Sequence, residues 1–287
     1  MRVLITGGQS GQLKWELLRT APEGIDIVGE SAERLDIADQ AAVQKVVSEL
    51  KPDCIINAAA YTAVDTAEED TDAAFLLNET AVGYLCDAAL ERNANFIHVS
   101  TDFVFGHSDG SPFREDAPTD PVSVYGHSKL AGEKVVMQRM PDTGLVVRTA
   151  WVYSSFGNNF VKTMLRVMKA RGEVGVIADQ VGSPTWANGL ARALWQAALK
   201  KSSGMMHWTG AGVASWYDFA QAIAEEGVAA GLLEKMPVVN SLRTDQYPTP
   251  ASRPSYSVME TTATWEALDL KPLHWRDELR AMLLELQ

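Results

Sequence analysis

Over its first 150 residues the chain alternates between two hydrophobic periods, and this alternation restricts the fold more than any other feature. Short apolar, β-rich runs lie at 3–6, 25–29, 54–57, 96–100 and 145–148. Longer stretches with helical spacing lie between them, at 13–20, 40–50, 73–92 and 124–140. Strand, helix, strand in repetition demands parallel pairing, because parallel strands need a long crossover and right-handed crossovers lay helices on the faces of the sheet. The runs are almost wholly apolar, as strands covered on both faces are. An α/β protein with a doubly wound parallel sheet is expected.

After Trp151 the pattern changes. Helical spacing at 158–171, 190–199 and 215–227 surrounds a short strand at 205–208; a loop with three prolines covers 244–255, and closing helices lie at 265–268 and 275–286. A length of 287 residues accommodates a sheet domain over 1–150 and a smaller C-terminal α/β substrate lobe over 151–287, with some of its segments returning to the first domain. Six of the eight tryptophans lie beyond residue 180, and each is read first as core.

Composition narrows the partners. Lys and Arg total 25 against 37 Asp and Glu, a net charge of −12 without a dense basic run, which argues against nucleic acid and anionic membranes. No apolar stretch approaches the roughly 18 residues of a membrane span. The two cysteines, Cys54 and Cys86, sit in apolar segments and read as buried free thiols in the reducing cytoplasm.

The first strand runs straight into TGGQSGQL at 6–13 and then a helix. A glycine-rich turn at the first strand–helix crossover aims backbone N–H groups and the positive helix end at a pyrophosphate, the Rossmann device for a nicotinamide dinucleotide. Gly8 and Gly11 belong to that turn; Lys14 replaces the third glycine of the fingerprint, implying a shifted helix or a lysine near the phosphates. Glu30, after the second strand, can accept from the adenosine ribose and repel a 2′-phosphate, which favours NADH over NADPH. Arg34 is near enough in sequence to reopen that choice. Asp36 and Ile37 are placed to hold the adenine, and Asp36 can also cap the helix that follows.

Tyr125 and Lys129 stand four apart on one predicted helix face, and Thr101 and Asp102 end the strand before it, at the carboxyl edge where open α/β sheets bind ligands. Reducing a ketone places negative charge on its oxygen and requires a proton there. A phenol serves as that acid when a nearby cation stabilises its phenolate. Lys129 supplies the cation and can hold the nicotinamide ribose, Thr101 can bond the carbonyl oxygen and Tyr125, and Trp151 lies where it could stack on a sugar or base.

These segments, with NAAAYTAVDTAEED at 57–70, STDFVF at 100–105, VYGHSKLAGEK at 124–134, RTAWVY at 148–153, NNFVKTML at 158–165, DQVGSPT at 179–185 and YPTPASRP at 247–254, resemble the dTDP-4-dehydrorhamnose reductases among the extended short-chain dehydrogenase/reductases. The resemblance implies reduction of the C4 ketone of dTDP-4-dehydro-L-rhamnose by NADPH or NADH. It implies cofactor contacts from Gly11, Gln12, Leu13, Glu30, Asp36, Ile37, Ala60, Tyr61 and Thr62, a catalytic set of Thr101, Tyr125 and Lys129, and substrate contacts from Thr101, Asp102 and Trp151, with Arg253 as a diphosphate ligand. Some relatives dimerise through Mg²⁺ held by carboxylates. Here Glu16 fits one ligand position, but the other is the neutral Asn188, so no tightly held metal is expected and a homodimer is left open. Three rivals stand beside this reading. Dehydratases and epimerases share the fold, but dehydratases use an Asp-Glu pair where this chain has Asp102-Phe103. A non-catalytic subunit like the β-subunit of methionine adenosyltransferase is another, and a reductase of a different nucleotide-linked keto-sugar is the third.

Overall fold

A computed structural model describes residues 1–8, 11–29 and 35–287. The first half runs β1 (Arg2–Thr6), α1 (Gln12–Arg19), β2 (Asp26–Gly29), α2 (Gln40–Leu50), β3 (Cys54–Asn57), α3 (Val64–Ala67), α4 (Thr71–Phe75), α5 (Ala81–Glu91), β4 (Asn95–Thr101), α6 (Val124–Arg139) and β5 (Gly144–Thr149). The second half continues with β6 (Val152–Tyr153), α7 (Phe160–Arg171), β7 (Glu173–Ile177), β8 (Val181–Gly182), β9 (Thr185–Trp186), α8 (Ala187–Lys200), β10 (Gly204–His207), β11 (Ala214–Ser215), α9 (Trp216–Ala229), β12 (Val238–Leu242), α10 (Thr262–Leu268) and α11 (Trp275–Leu284).

Six strands form one parallel sheet in the order β10-β5-β4-β3-β1-β2. The order reverses between β1 and β3, which opens the crevice where such sheets take a ligand. Successive residues of each strand feed opposite layers. Val3, Ile5, Cys54, Ile56, Ile97, Leu145 and Val147 pack with α1 and α8, whereas Leu4, Ile55, Phe96 and Val146 pack with α2, α5 and α6. Cys54 and Cys86 fall in different layers as free thiols, and burial pushes both up to about 12.

The edge strand β10 comes from the second half of the chain, as does α8, so Trp195 and Trp208 fill the main sheet's core. A separate core of α7, α9, α11 and β7 holds Phe219, Trp275 and Leu279 in the smaller lobe, which carries the parallel pair β7–β12.

Two local expectations give way. The stretch expected as one helix over 73–92 is α4 and α5 joined by a π-helical turn, Leu76–Thr80, which turns the Asn78 side chain into the protein. Helix α2 begins at Gln40 and is capped by Asp39, whose carboxylate accepts from the Ala41 and Ala42 N–H groups; the Asp36 carboxylate accepts from Ala38, ahead of the helix.

Candidate active site

The site grows from the carboxyl end of β4. Thr101 is the last residue of that strand and caps a short 3-10 turn, accepting from the Phe103 N–H at 3.2 Å. Its hydroxyl donates to Asp102 Oδ1 at 3.0 Å, and Ser257, from the far half of the chain, donates to Oδ2 at 2.6 Å. Asp102 is 2% exposed, and burial pushes its carboxyl up to about 6 against these donors.

Helix α6 can reach this edge because two of its residues have no side chain. A Cβ on Gly126 would fall 2.3 Å from the Phe103 carbonyl oxygen, and one on Gly132 would fall 2.1 Å from that of Asn78. Ser123 caps the helix, Glu68 accepts from the Val124 N–H at 2.9 Å, and Asn78 donates to Ser128 at 2.9 Å. Deeper in, Glu133 holds the helix to β5 through a buried, two-pronged bond with Arg148, and accepts from Ser100 at 2.6 Å.

Tyr125 and Lys129 are thereby delivered beside Thr101. The Tyr125 ring packs edge-on to Phe103 with centroids 5.5 Å apart. Burial pushes its phenol up to about 12; a hydrogen bond with Thr101 opposes the rise and the Asp102 charge adds to it. Lys129 is 1% exposed, and burial brings it down to about 8 although Glu133 opposes this. Its Nζ donates to the Val99 carbonyl at 2.8 Å and faces His98 Nε2 at 3.3 Å. Those groups, and not the Tyr125 phenol, are its hydrogen-bond partners among the described residues.

Two groups of the cofactor candidates follow β1 and β3 of the same sheet. Gly11 caps α1 and brings no side chain to its first-turn N–H groups, and among the described residues nothing lies within 4 Å of where a Gly8 Cβ would stand. Lys14 is buried and reaches back to the Gly7 carbonyl at 3.2 Å. Leu13 packs into the core, and Gln12 accepts from Asn159 at 2.9 Å. Asn78 grips the backbone of Tyr61 in both directions, at 2.9 and 3.1 Å, leaving Ala60 half-buried and Thr62 exposed. Asp36 is exposed, while Ile37 turns its side chain into the core. Glu30 and Arg34 lie outside the described residues. The buried Thr149 hydroxyl, paired in register with Thr101, meets no partner among the described residues. Among the described residues, glycines flanking the turn at 8 and 11, a helix start whose cap residue has no side chain, and an unmatched hydroxyl at the strand ends fit a dinucleotide.

A cleft of about 370 Å³ adjoins the set, walled by Phe103, Trp151, Trp216, Tyr247, Arg253 and Ser257. Trp151 borders this cleft half-buried. It has φ +49° and stacks on Trp216 at 3.6 Å, and a Cβ on Gly182 would fall 2.7 Å from its ring. Arg253 is anchored across the cleft, donating to Asp65 at 2.8 Å, Thr249 at 2.6 Å and the Ala251 carbonyl at 2.9 Å.

Glu16 and Asn188 do meet, at 3.0 Å, but the Asn188 amide N–H donates to the carboxylate. Ser154 and Arg19 engage the same two oxygens, so the pair does not fit a hard cation. His98, Ser257 and Glu133 join the site although no sequence motif points to them. The visible signals were a histidine inside an apolar strand and a glutamate on the buried face of the Tyr125 helix.

A tyrosine–lysine helix docked at the carboxyl edge of a six-stranded parallel sheet is the arrangement of the extended short-chain dehydrogenase/reductase class. Residues 1–287 match the family model described as the RmlD substrate binding domain. A dTDP-4-dehydrorhamnose reductase of Aggregatibacter actinomycetemcomitans is 39% identical over 97% of each chain. Among solved structures, the enzyme of that name from Clostridium acetobutylicum superposes with a TM-score of 0.93 at 36% identity over all of both chains. The one from Bacillus anthracis, in complex with NADP, gives 0.92 at 34% identity over 99% of each. The chain belongs to the dTDP-4-dehydrorhamnose reductase family.

Proposed function

We propose that this protein reduces the C4 ketone of dTDP-4-dehydro-L-rhamnose to give dTDP-L-rhamnose, with Tyr125 as the general acid. The observation that carries the reading is the buried Thr101–Tyr125–Lys129 set lying behind Phe103 and Ser257, which wall a cleft large enough for a sugar, in a chain of this family. NADPH or NADH, when bound, supplies the hydride, as the NADP in the Bacillus anthracis relative suggests. Gly8, Gly11, Gln12, Leu13 and the 60–62 segment would hold it, with Lys129 on the nicotinamide ribose. Glu30, Asp36 and Ile37 would serve its adenine side.

The chain's own part is to hold a ketone and give it a proton. A phenol near 12 is protonated at every working pH, so Tyr125 begins with the proton it must deliver. Thr101, turning its single hydroxyl proton from Asp102 Oδ1 toward bound substrate, would donate to the same ketone oxygen and position the phenol. As negative charge reaches that oxygen, the Lys129 ammonium favours phenolate formation. Asp102 lies 2% exposed and bonded to Ser257, and without a neighbouring glutamate it is poorly equipped for elimination. Arg253 would take the sugar's diphosphate, with Trp151 lining the sugar end of the cleft. Residues 1–150 would serve as the dinucleotide half and 151–287 as the substrate half, with β10 and α8 returning to the sheet. Among the described residues no helix is long and apolar enough to cross a membrane, and we place the protein in the cytoplasm.

The test is loss of the reduced nicotinamide absorbance on adding dTDP-4-dehydro-L-rhamnose. Tyr125→Phe is expected to cut turnover by about 10² to 10⁴ while leaving cofactor affinity nearly unchanged. An unchanged rate in that variant contradicts the mechanism.

A further inference from the structure

The proton position on one buried histidine is dictated by its neighbours, and that histidine faces the candidate lysine. Asn57, at the end of β3, has an unambiguous orientation. Its Oδ1 accepts from the Ala59 backbone N–H at 3.2 Å, a group that can only donate, and from the Thr6 hydroxyl at 2.6 Å. The amide nitrogen therefore points at His98 Nδ1, 3.1 Å away, and donates to it. Nδ1 accepts, so the neutral ring carries its proton on Nε2. That nitrogen lies 3.3 Å from Lys129 Nζ.

His98 is fully buried, and burial together with the lysine's charge holds it well below the usual histidine range, so it stays neutral. An Nε2–H can hydrogen-bond the lone pair of an amine but offers nothing to an ammonium, which has only donors of its own. The ammonium's acceptor among the described residues is the Val99 carbonyl. Among the described residues the charge acting on Lys129 is that of Glu133, one turn along α6, whose carboxylate is already engaged by Arg148 and Ser100. Tyr125, on the same face of α6, contributes a neutral phenol.

We infer that His98 is a positioning residue for Lys129: Asn57 locks its neutral Nε2–H form, and that N–H, aimed at Nζ, fixes where the lysine sits and how readily it keeps its charge. The chain Thr6–Asn57–His98–Lys129 thus runs from the start of the glycine turn, across three strands, to α6. Its consequence for catalysis rests on the reading of Lys129 given above, but its geometry can be tested separately.

The wild-type protein provides the first test. His107, His127 and His274 are exposed, leaving His98 and His207 as the two buried histidines of the five. His207 has the opposite surroundings. Its Nδ1 lies 3.1 Å from the Glu260 carbonyl, which can only accept, so its proton is on Nδ1. A long-range ¹H–¹⁵N spectrum of histidine-labelled protein, from about pH 6 to about pH 8, should therefore show two non-titrating rings, one of each tautomer. Two Nδ1–H rings, or titration of both, would overturn the inference whatever the protein catalyses.

The second test is the pH profile of kcat/KM. His98→Phe keeps a ring in the cavity and removes the N–H, so the alkaline limb should move up by about one pH unit. A role in packing alone would lower the rate equally at every pH and leave the limb in place, which also overturns the inference. If His98→Phe does not fold, Asn57→Ala frees the tautomer and is expected to move the limb in the same direction; an unmoved limb there counts equally against it. Absence of any sugar reduction, with the tautomers as assigned, would sink the reductase reading while upholding the geometry.

Discussion

Ser257 Oγ lies 2.6 Å from Asp102 Oδ2, so the second half of the chain is bonded directly to the residue that follows Thr101. The Asp102 carboxyl stands at about 6 in the folded protein against an ordinary value near 3.8, with burial raising it and Ser257 opposing. Because the folded form has the higher affinity for the proton, stability falls as pH rises from about 4 to about 6. Ser257→Ala removes a hydrogen bond to a charged group and should cost about 1.5–3 kcal/mol at pH 7. The cost should be smaller near pH 5, where the carboxyl is protonated. Urea unfolding at the two pH values checks this, and an equal cost at both would count against the assignment.

Lys129 should set the alkaline side of the reaction. Burial brings it to about 8, and the mechanism uses the ammonium, so kcat/KM should fall about tenfold per pH unit above that value. Lys129→Met should lose the limb along with most of the activity. A wild-type profile flat to about pH 10 would exclude a required ammonium with this affinity for its proton.

Glu278 is buried beneath Gly189 and Gly210, its Oε2 without a hydrogen-bond partner among the described residues, and burial pushes it up to about 8. Its folded value lies above the ordinary 4.5, so it binds a proton on folding between those limits and stability falls as pH rises through them. Glu278→Gln should then be close to neutral at pH 5 and stabilising near pH 8, in thermal unfolding at both. Destabilisation that grows with pH would show that the ionised carboxylate is the form the fold prefers.

Cofactor preference should respond to Glu30. A carboxylate just after β2 repels a 2′-phosphate, so Glu30→Ala should raise kcat/KM with NADPH relative to NADH by about tenfold, equivalent to ~1.4 kcal/mol. An unchanged ratio in parallel kinetics would mean that another group makes the discrimination.

The legible parts of this protein were those written in local patterns. The five apolar runs of the first half each lie within one residue of an observed strand, because strands buried on both faces leave a continuous apolar signature. Tyr125 and Lys129 were visible because a four-residue spacing is a helix-face rule. The features that escaped depend on partners distant in sequence. Asn78 interrupts its helix to hold Tyr61, 17 residues earlier, and Trp151 takes a left-handed conformation against Trp216. Arg253 is anchored by Asp65, 188 residues away. His98 looked like a polar interruption of a strand; its meaning depends on Asn57 and Lys129, which other elements bring to it. Asp36 and Asp39 both precede the same helix, and only the backbone path chooses Asp39 as the cap.

Hydride transfer to the sugar tests the central claim most directly. The measurement is a reaction of the protein with dTDP-4-dehydro-L-rhamnose and a reduced nicotinamide cofactor deuterated at its transferring carbon, with the product read by mass spectrometry and NMR. The expected result is dTDP-L-rhamnose carrying deuterium at C4, formed at least about 10² times more slowly by Tyr125→Phe. Recovery of unlabelled keto-sugar, from folded protein that still binds the cofactor, would contradict it.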